Sequence, residues 1–284
     1  MTSRAVLITG CSTGIGRATA ERLAAKGHKV YATARRVEAG EDLKEKGCEV
    51  LALDVTDAES MAQAVKAVVA AEGAVGALVN NAGYSQGGAV ETLSADDIRR
   101  QFETNVFGPV ELARLCLPGM REQGWGRIVN VSSMGGRLTF PGGGAYHASK
   151  HAIEAFSDAL RWEVKKFGVA VSLIEPGIVP TAFAQAHGSA IEGAEAEGPY
   201  AAFNAAVRER VDSAYVGPLV RLGSSPAKVA RVIERAITSR SPKPRYVVGK
   251  DARSALVLRT LFPDRVFDAF LSTNYKRPGA DQRG

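Results

Sequence analysis

The chain opens on Arg4-Ala-Val-Leu-Ile-Thr9, a short apolar run that passes directly into Gly10-Cys-Ser-Thr-Gly14-Ile-Gly16. Residues 17–26 then read as an amphipathic helix. Few folds place a buried strand, a turn through three glycines and a helix in immediate succession. Glycines there permit a tight reversal, close approach of a pyrophosphate to the backbone, and close packing of helix on strand. The first helical turn also leaves N–H groups without intrahelical partners, which suits an anionic phosphate. An ordinary strand-to-helix turn carries the same residues, so the rest of the chain must decide.

Strands and helices alternate along it. Apolar runs predict further strands at 28–33, 49–53, 77–80, 127–133, 169–174 and 245–248. Helical spacing covers 57–72, 95–117, 146–167 and 226–239. Two start signals support these helices: Thr56-Asp-Ala-Glu59 has capping-box form, and Ser225-Pro226 puts a cap residue before a proline at the first helical position. Such alternation predicts an α/β fold with a parallel sheet covered on both faces. No linker, repeat or low-complexity tract divides the 284 residues, and 45% hydrophobic content suffices for one extended core. One domain spanning 1–284 is therefore expected.

A second constellation sits mid-chain. Ser133 ends the run from Arg127, Gly135, Gly136 and Pro141-Gly-Gly-Gly144 make a loop, and Tyr146-His-Ala-Ser-Lys150 opens a helix. Tyr146 and Lys150 stand at i and i+4, on one helical face. A free tyrosine loses its proton near pH 10. A nearby cation stabilises the phenolate, so Lys150 is expected to lower that value and let Tyr146 act as acid or base. Ser133 is placed to donate a hydrogen bond to an oxygen that gains or loses charge. The Tyr-x-x-x-Lys pair alone also fits a surface helix with a half-buried tyrosine.

Taken in order, Thr9-Gly-Cys-Ser-Thr-Gly-Ile-Gly16, Asn80-Asn-Ala-Gly83, Asn105, Ser133, Tyr146-x-x-x-Lys150 and Pro176-Gly177 resemble the compact short-chain dehydrogenase/reductase family. The specific motifs cover roughly residues 4–181. Within the family, the glycine loop and Val30-Tyr-Ala-Thr-Ala-Arg35 resemble the 17β-hydroxysteroid and retinol dehydrogenase branch. The resemblance implies a Rossmann-like doubly wound sheet of seven parallel strands, order 3-2-1-4-5-6-7, in three α/β/α layers. It implies reversible hydride transfer between a nicotinamide cofactor and a secondary alcohol or ketone. Tyr146 would give or take the proton, Lys150 would hold the nicotinamide ribose, and Ser133 would orient the substrate oxygen. Asn105 would kink its helix and hold a water joining Lys150 to solvent.

The same resemblance assigns the cofactor residues. Gly10, Ser12, Thr13, Gly14, Ile15 and Gly16 would cradle the pyrophosphate, and Asp54 and Val55 would contact the adenine. Asn81, Ala82 and Gly83 would line the adenosine ribose, while Pro176, Gly177, Val179 and Thr181 would border the nicotinamide. Pro180 removes one backbone donor from that last loop. NAD-binding proteins of this fold carry an acid near the end of the second strand. Ala34 stands there instead, followed by Arg35 and Arg36. A cation at Arg35 can pair with a 2′-phosphate, so the sequence favours NADP(H) and leaves NAD(H) open. The two arginines alternatively begin a solvated loop.

Substrate residues are less constrained. Residues 182–222 are rich in alanine and glycine with interspersed aromatics, and by resemblance form a lid. Tyr84, Phe183, Ser133 and Tyr146 are expected to border an apolar pocket for a small hydrophobic alcohol or ketone of steroid, retinoid, fatty or aromatic type. Residues 250–284 form a C-terminal helical extension, read either as docked on the domain or a partner subunit, or as a basic amphipathic segment on a membrane surface. Cys11, Cys48 and Cys116 lack metal or redox spacing, and four scattered histidines lack companion ligands, so no metal is expected. A reducing, cytoplasmic setting follows from the cysteines. The net charge of +6 is dispersed, which argues against nucleic acid. The resemblance implies a homo-oligomer, dimer or tetramer. A redox sensor on the same fold and a sugar-nucleotide epimerase are the competing readings.

Overall fold

The structure is a computed structural model and describes residues 2–181, 183, 198–216, 221–275 and 278. Seven strands form one sheet: β1 Val6–Ile8, β2 Val30–Ala34, β3 Cys48–Ala52, β4 Ala77–Asn80, β5 Gly126–Val131, β6 Val169–Pro176 and β7 Arg245–Val248. Their spatial order is β3-β2-β1-β4-β5-β6-β7. Every neighbouring pair is parallel. A parallel sheet needs cover on both faces, which explains the near-continuous burial of β1, β2 and β4.

The helices supply that cover. In chain order they are α1 Gly14–Ala25, α2 Ala58–Glu72, α3 Ala95–Phe102, α4 Gly108–Glu122, α5 Gly144–Val164, α6 Ala201–Val216, α7 Pro226–Thr238, α8 Lys250–Leu261 and α9 Asp264–Asn274. One apolar layer sets Leu7, Leu78 and Ile128 against Met61, Val65, Val68, Leu112 and Met120 of α2 and α4. The opposite layer sets Val6, Ile8 and Val79 against Leu23 of α1 and Val229 and Ile233 of α7. Alternate residues of one strand thus feed opposite cores. An ion pair between Arg22 and Glu234 ties α1 to α7 at the rim.

Several local expectations need correction. Asp57, not Thr56, caps α2, accepting from Glu59 N and Ser60 N, so the capping-box alignment was one residue early. Ser225 does cap α7, accepting from Lys228 N. The stretch 95–117 is not one regular helix. It holds a π-helical turn at Glu103–Phe107 and continues past Pro118 to Glu122.

The lid region 182–222 lies largely outside the described residues; within it α6 and Phe183 are described. Residues after Asn274 are described only at Tyr275 and Pro278. The extension docks through buried Ala252, Leu256 and Phe267, while Leu261, Val257 and Phe270 stay exposed. Among the described residues no helix is long and apolar enough to cross a membrane.

Candidate active site

One cavity of about 1190 Å³ runs along the carboxyl ends of the strands. Ligands of open α/β sheets bind on this side, where the strand order reverses between β1 and β4. The glycine loop forms one wall. Gly10 and Gly14 take φ of 71° and 63°, a region that side chains disfavour. A Cβ on Gly16 would stand 2.3 Å from the Gly10 carbonyl oxygen and 2.5 Å from Asn81 Nδ2. Gly16 therefore serves packing and does not itself line the cavity. Thr13 caps α1 without using its hydroxyl, and no acid occupies the first turn. The positive end of α1 is left facing the cavity.

Asn81 fixes this wall to β4. Its Nδ2 donates to the Thr9 and Gly10 carbonyls at 2.9 and 3.1 Å, and its N and that of Ala82 both donate to Thr9 Oγ1 at 2.9 Å. Ser12, Ile15, Asp54, Val55, Ala82 and Gly83 line the same stretch. Asp54 Oδ1 accepts from Thr56 N and Oγ1 at 2.9 and 2.8 Å. Arg35 is exposed and borders the cavity beside Ala34, whereas Arg36 is absent from its lining. Arg36 instead precedes a 3₁₀ turn at Val37–Leu43. The expectation for the two arginines is thus split.

Ser133, Tyr146 and Lys150 meet deeper in the cavity. Ser133 Oγ accepts from Gly135 N at 3.0 Å, and its hydroxyl acts on the Tyr146 phenol. Lys150 Nζ donates to the Val131 carbonyl at 2.8 Å and lies 5.8 Å from the Tyr146 ring centre. The expected lowering of Tyr146 is not found in the polypeptide alone. Burial pushes the phenol up, and the Ser133 bond opposes this only in part. Burial likewise pulls Lys150 down to about 8, against the charge of Glu154.

Behind Lys150, Glu154 and the fully buried Glu175 share Arg245, whose Nε lies 2.9 Å from Glu154 Oε2 and 3.1 Å from Glu175 Oε1. Arg137 reaches Glu175 Oε2 at 3.3 Å. Both carboxyls are nevertheless pushed up by burial, and Glu175 further by the Glu154 charge.

Asn105 does not line the cavity. The π turn carries it inward, where Oδ1 accepts from Tyr84 N at 3.1 Å and Nδ2 donates to the Tyr84 carbonyl at 3.0 Å and Ser149 Oγ at 3.2 Å. It clamps the strand extension 81–84. A Cβ on Gly83 would stand 3.0 Å from Asn105 Oδ1 and 3.9 Å from Lys150 Nζ, so the amide and the ammonium border one spot.

The far end of the cavity is apolar. The Phe183 ring centre lies 5.7 Å from that of Tyr146. Val207, Val211, Ala214 and Tyr215 present one face of α6, joined by Phe140 and Tyr275. Tyr84 Oη is buried without a hydrogen-bond partner among the described residues. His147 was read in the sequence only as a residue without ligand companions. It is buried, donates from Nδ1 to the Gly135 carbonyl at 3.0 Å, and sets its ring against Tyr146 at 5.5 Å. Its place next to Tyr146 in the chain was the available signal. Tyr275 had none, because it reaches the cavity from the far end of α9. Pro176, Gly177, Val179 and Thr181 complete the floor, with Ile178 between them.

Comparison with known proteins agrees with this geometry. The family model for short chain dehydrogenases matches residues 4–192. The uncharacterized oxidoreductase YbbO of Escherichia coli K12 is 36% identical over 269 residues, 94% of each chain. A 3-ketodihydrosphingosine reductase of Bacteroides thetaiotaomicron is 40% identical over 183 residues, 64% of this chain and 66% of that one. Among solved structures, a short-chain dehydrogenase from Streptomyces avermitilis has a TM-score of 0.79 at 37% identity, covering 96% of both chains. A short-chain dehydrogenase/reductase from Burkholderia phymatum in complex with NAD gives 0.78 at 28%, covering 97% of both. A serine dehydrogenase complexed with NADP+ gives 0.73 at 28%, covering 86% of this chain and 94% of that one. The chain belongs to the short-chain dehydrogenase family. It is an oxidoreductase of that class, with the Rossmann-like fold.

Proposed function

We propose that the protein is an NADP(H)-dependent oxidoreductase that interconverts a secondary alcohol and a ketone on a small hydrophobic substrate. The observation that carries this is the meeting of Ser133, Tyr146 and Lys150 in one cavity whose near wall is a glycine loop and whose far wall is apolar. The near wall fits a dinucleotide: the loop turns through left-handed glycines, and the first turn of α1 carries no acid. Bound there, the nicotinamide would supply or accept hydride. Ser133 orients the substrate oxygen, and Tyr146 delivers or removes its proton. Lys150 brings positive charge to the phenol and to the ribose end of the cofactor site. The buried, raised phenol favours the protonated form, which suits a proton donor in ketone reduction.

Arg35 beside Ala34 supports NADP(H); NAD(H) is the alternative, and relatives of similar structure are seen with each. A reductase of 3-ketodihydrosphingosine among the relatives supports a long-chain ketone, while the glycine loop and residues 30–35 support a hydroxysteroid- or retinol-type skeleton. Asn105 is assigned to hold the segment beside Lys150. We assign 1–284 to a single domain with 182–222 as substrate lid and 250–284 as C-terminal helical extension, of which Tyr275 borders the cavity. Exposed Phe156 and Trp162 on α5 support a homo-oligomer.

Arg35→Ala tests the cofactor. It is expected to raise the Michaelis constant for NADPH roughly tenfold, as for loss of a charge-assisted contact, and to change that for NADH little. Equal changes would remove the 2′-phosphate role. A panel of bulky apolar ketones followed at the nicotinamide absorbance tests the reaction.

A further inference from the structure

The loop that follows β6 is gripped by a residue from outside the motifs. Asp251, in the first turn of α8, accepts from Ile178 N through Oδ2 at 2.5 Å. On its other side, the Ile178 carbonyl accepts from Ser224 N at 2.9 Å, and Gly177 N donates to the Val248 carbonyl at 3.0 Å. Ile178 is therefore held at both its donor and its acceptor. The contact is closed to any larger residue. A Cβ on Gly177 would stand 2.1 Å from Asp251 Oδ2, and one on Gly249, which takes φ of 116°, would stand 2.1 Å from Oδ1. Both glycines make room for the carboxylate.

This grip compensates for a weakness. Pro180 deprives the loop of one backbone donor, so local hydrogen bonding alone fixes it poorly. Pro176, Gly177, Ile178, Val179 and Thr181 nonetheless form the cavity floor beneath the catalytic trio. Tyr215 of α6, on the facing wall, also feels the Asp251 charge. The carboxylate thus lies behind the loop that floors the cavity.

We propose that Asp251 is a positioning residue that sets the 176–181 loop for the nicotinamide end of the cofactor, which makes the C-terminal extension part of the cofactor site. This rests on the nicotinamide-dependent reading given above. Asp251 works through the backbone of Ile178 and needs only an acceptor oxygen there. The amide of Asp251→Asn can turn its oxygen to the same N–H, whereas Asp251→Ala leaves that donor unpaired.

Three proteins are compared: wild type, Asp251→Ala and Asp251→Asn. NADPH affinity is read by nicotinamide fluorescence, amide hydrogen exchange is read without nucleotide, and melting temperature is read for each. In Asp251→Ala, the dissociation constant is expected to rise about tenfold, the size of one lost positioning bond. Amides of 177–181 should exchange faster while those of β1 and α1 keep wild-type rates. Asp251→Asn should stay within about threefold of wild type in affinity. Wild-type affinity in Asp251→Ala, with or without a lower melting temperature, would overturn the proposal and leave a purely structural contact. Equal weakening in both variants would also overturn it, since charge and not the acceptor would then matter. Wild type that binds neither NADPH nor NADH would instead remove the nicotinamide reading on which the proposal rests.

Discussion

The two ends of the cavity are built on different principles. At the cofactor end the wall is mostly backbone: left-handed Gly10 and Gly14, the open N-terminus of α1, and carbonyls stapled by Asn81. Packing behind that wall leaves no room for a side chain: a Cβ on Gly16 would stand 2.3 Å from the Gly10 carbonyl oxygen. At the substrate end the wall is side chains drawn from distant parts of the chain: Phe140, Phe183, Val207 and Tyr215, with Tyr275 from the extension. Backbone walls demand particular residues at particular places, because only glycine fits a left-handed turn or a close approach. Apolar side-chain walls demand only volume, and many residues satisfy that. The first end therefore tolerates few substitutions, and the second many.

Gly16→Ala tests the strict end most harshly. Its Cβ meets a backbone oxygen that cannot swing aside, so overpacking should cost about 3 kcal/mol. NADPH affinity should fall on the order of a hundredfold in a titration. Unchanged affinity would mean that the glycine loop is as permissive as the far wall.

Lys150 gives a smaller, pH-dependent effect where the two ends meet. Its value in the folded protein is about 8, below the ordinary 10.5. Between those values the unfolded chain binds more protons, so stability contributed by this residue rises with pH across that window. Below pH 8 the full burial cost stands. Urea unfolding of wild type and Lys150→Met at pH 7.5 and 10 should show a difference between them that narrows by on the order of 2 kcal/mol. A constant difference would contradict the burial of a charged lysine.

Tyr275→Ala probes the lenient end and should do least. Losing one ring from a wall shared with Val207 and Val211 should raise the Michaelis constant for a bulky ketone about fivefold, near 1 kcal/mol. The dissociation constant for NADPH should not move. A parallel loss in both would show that the ends are coupled through the extension.

This contrast also decides what could be read from the sequence. Strand positions and the residues Ser133, Tyr146 and Lys150 were legible because glycine spacing and buried parallel strands leave local marks, whereas the sheet order came from the family resemblance. The strands at 77–80 and 245–248 match the structure at both ends. The break at Asn105 was expected from the family resemblance, but its form as a π turn was not legible, because the contacts there are tertiary: the amide bonds Tyr84 and Ser149, both far in sequence. The state of Tyr146 was misjudged for a related reason. Sequence shows a lysine four residues away, but not that burial in the polypeptide alone pushes the phenol up. Tyr275 reaches the cavity, and Asp251 the loop that floors it, only through the path of the folded extension, so nothing near them in the chain marks a role.

The most direct test of the account is single-turnover reduction of a bulky apolar ketone by bound NADPH, followed at the nicotinamide absorbance in wild type and Tyr146→Phe. With Tyr146 as the proton donor, the variant should bind NADPH within twofold of wild type and lose at least about a thousandfold in rate. A variant that binds NADPH and turns over at near the wild-type rate would contradict the assignment of Tyr146, and with it the catalytic role of the trio.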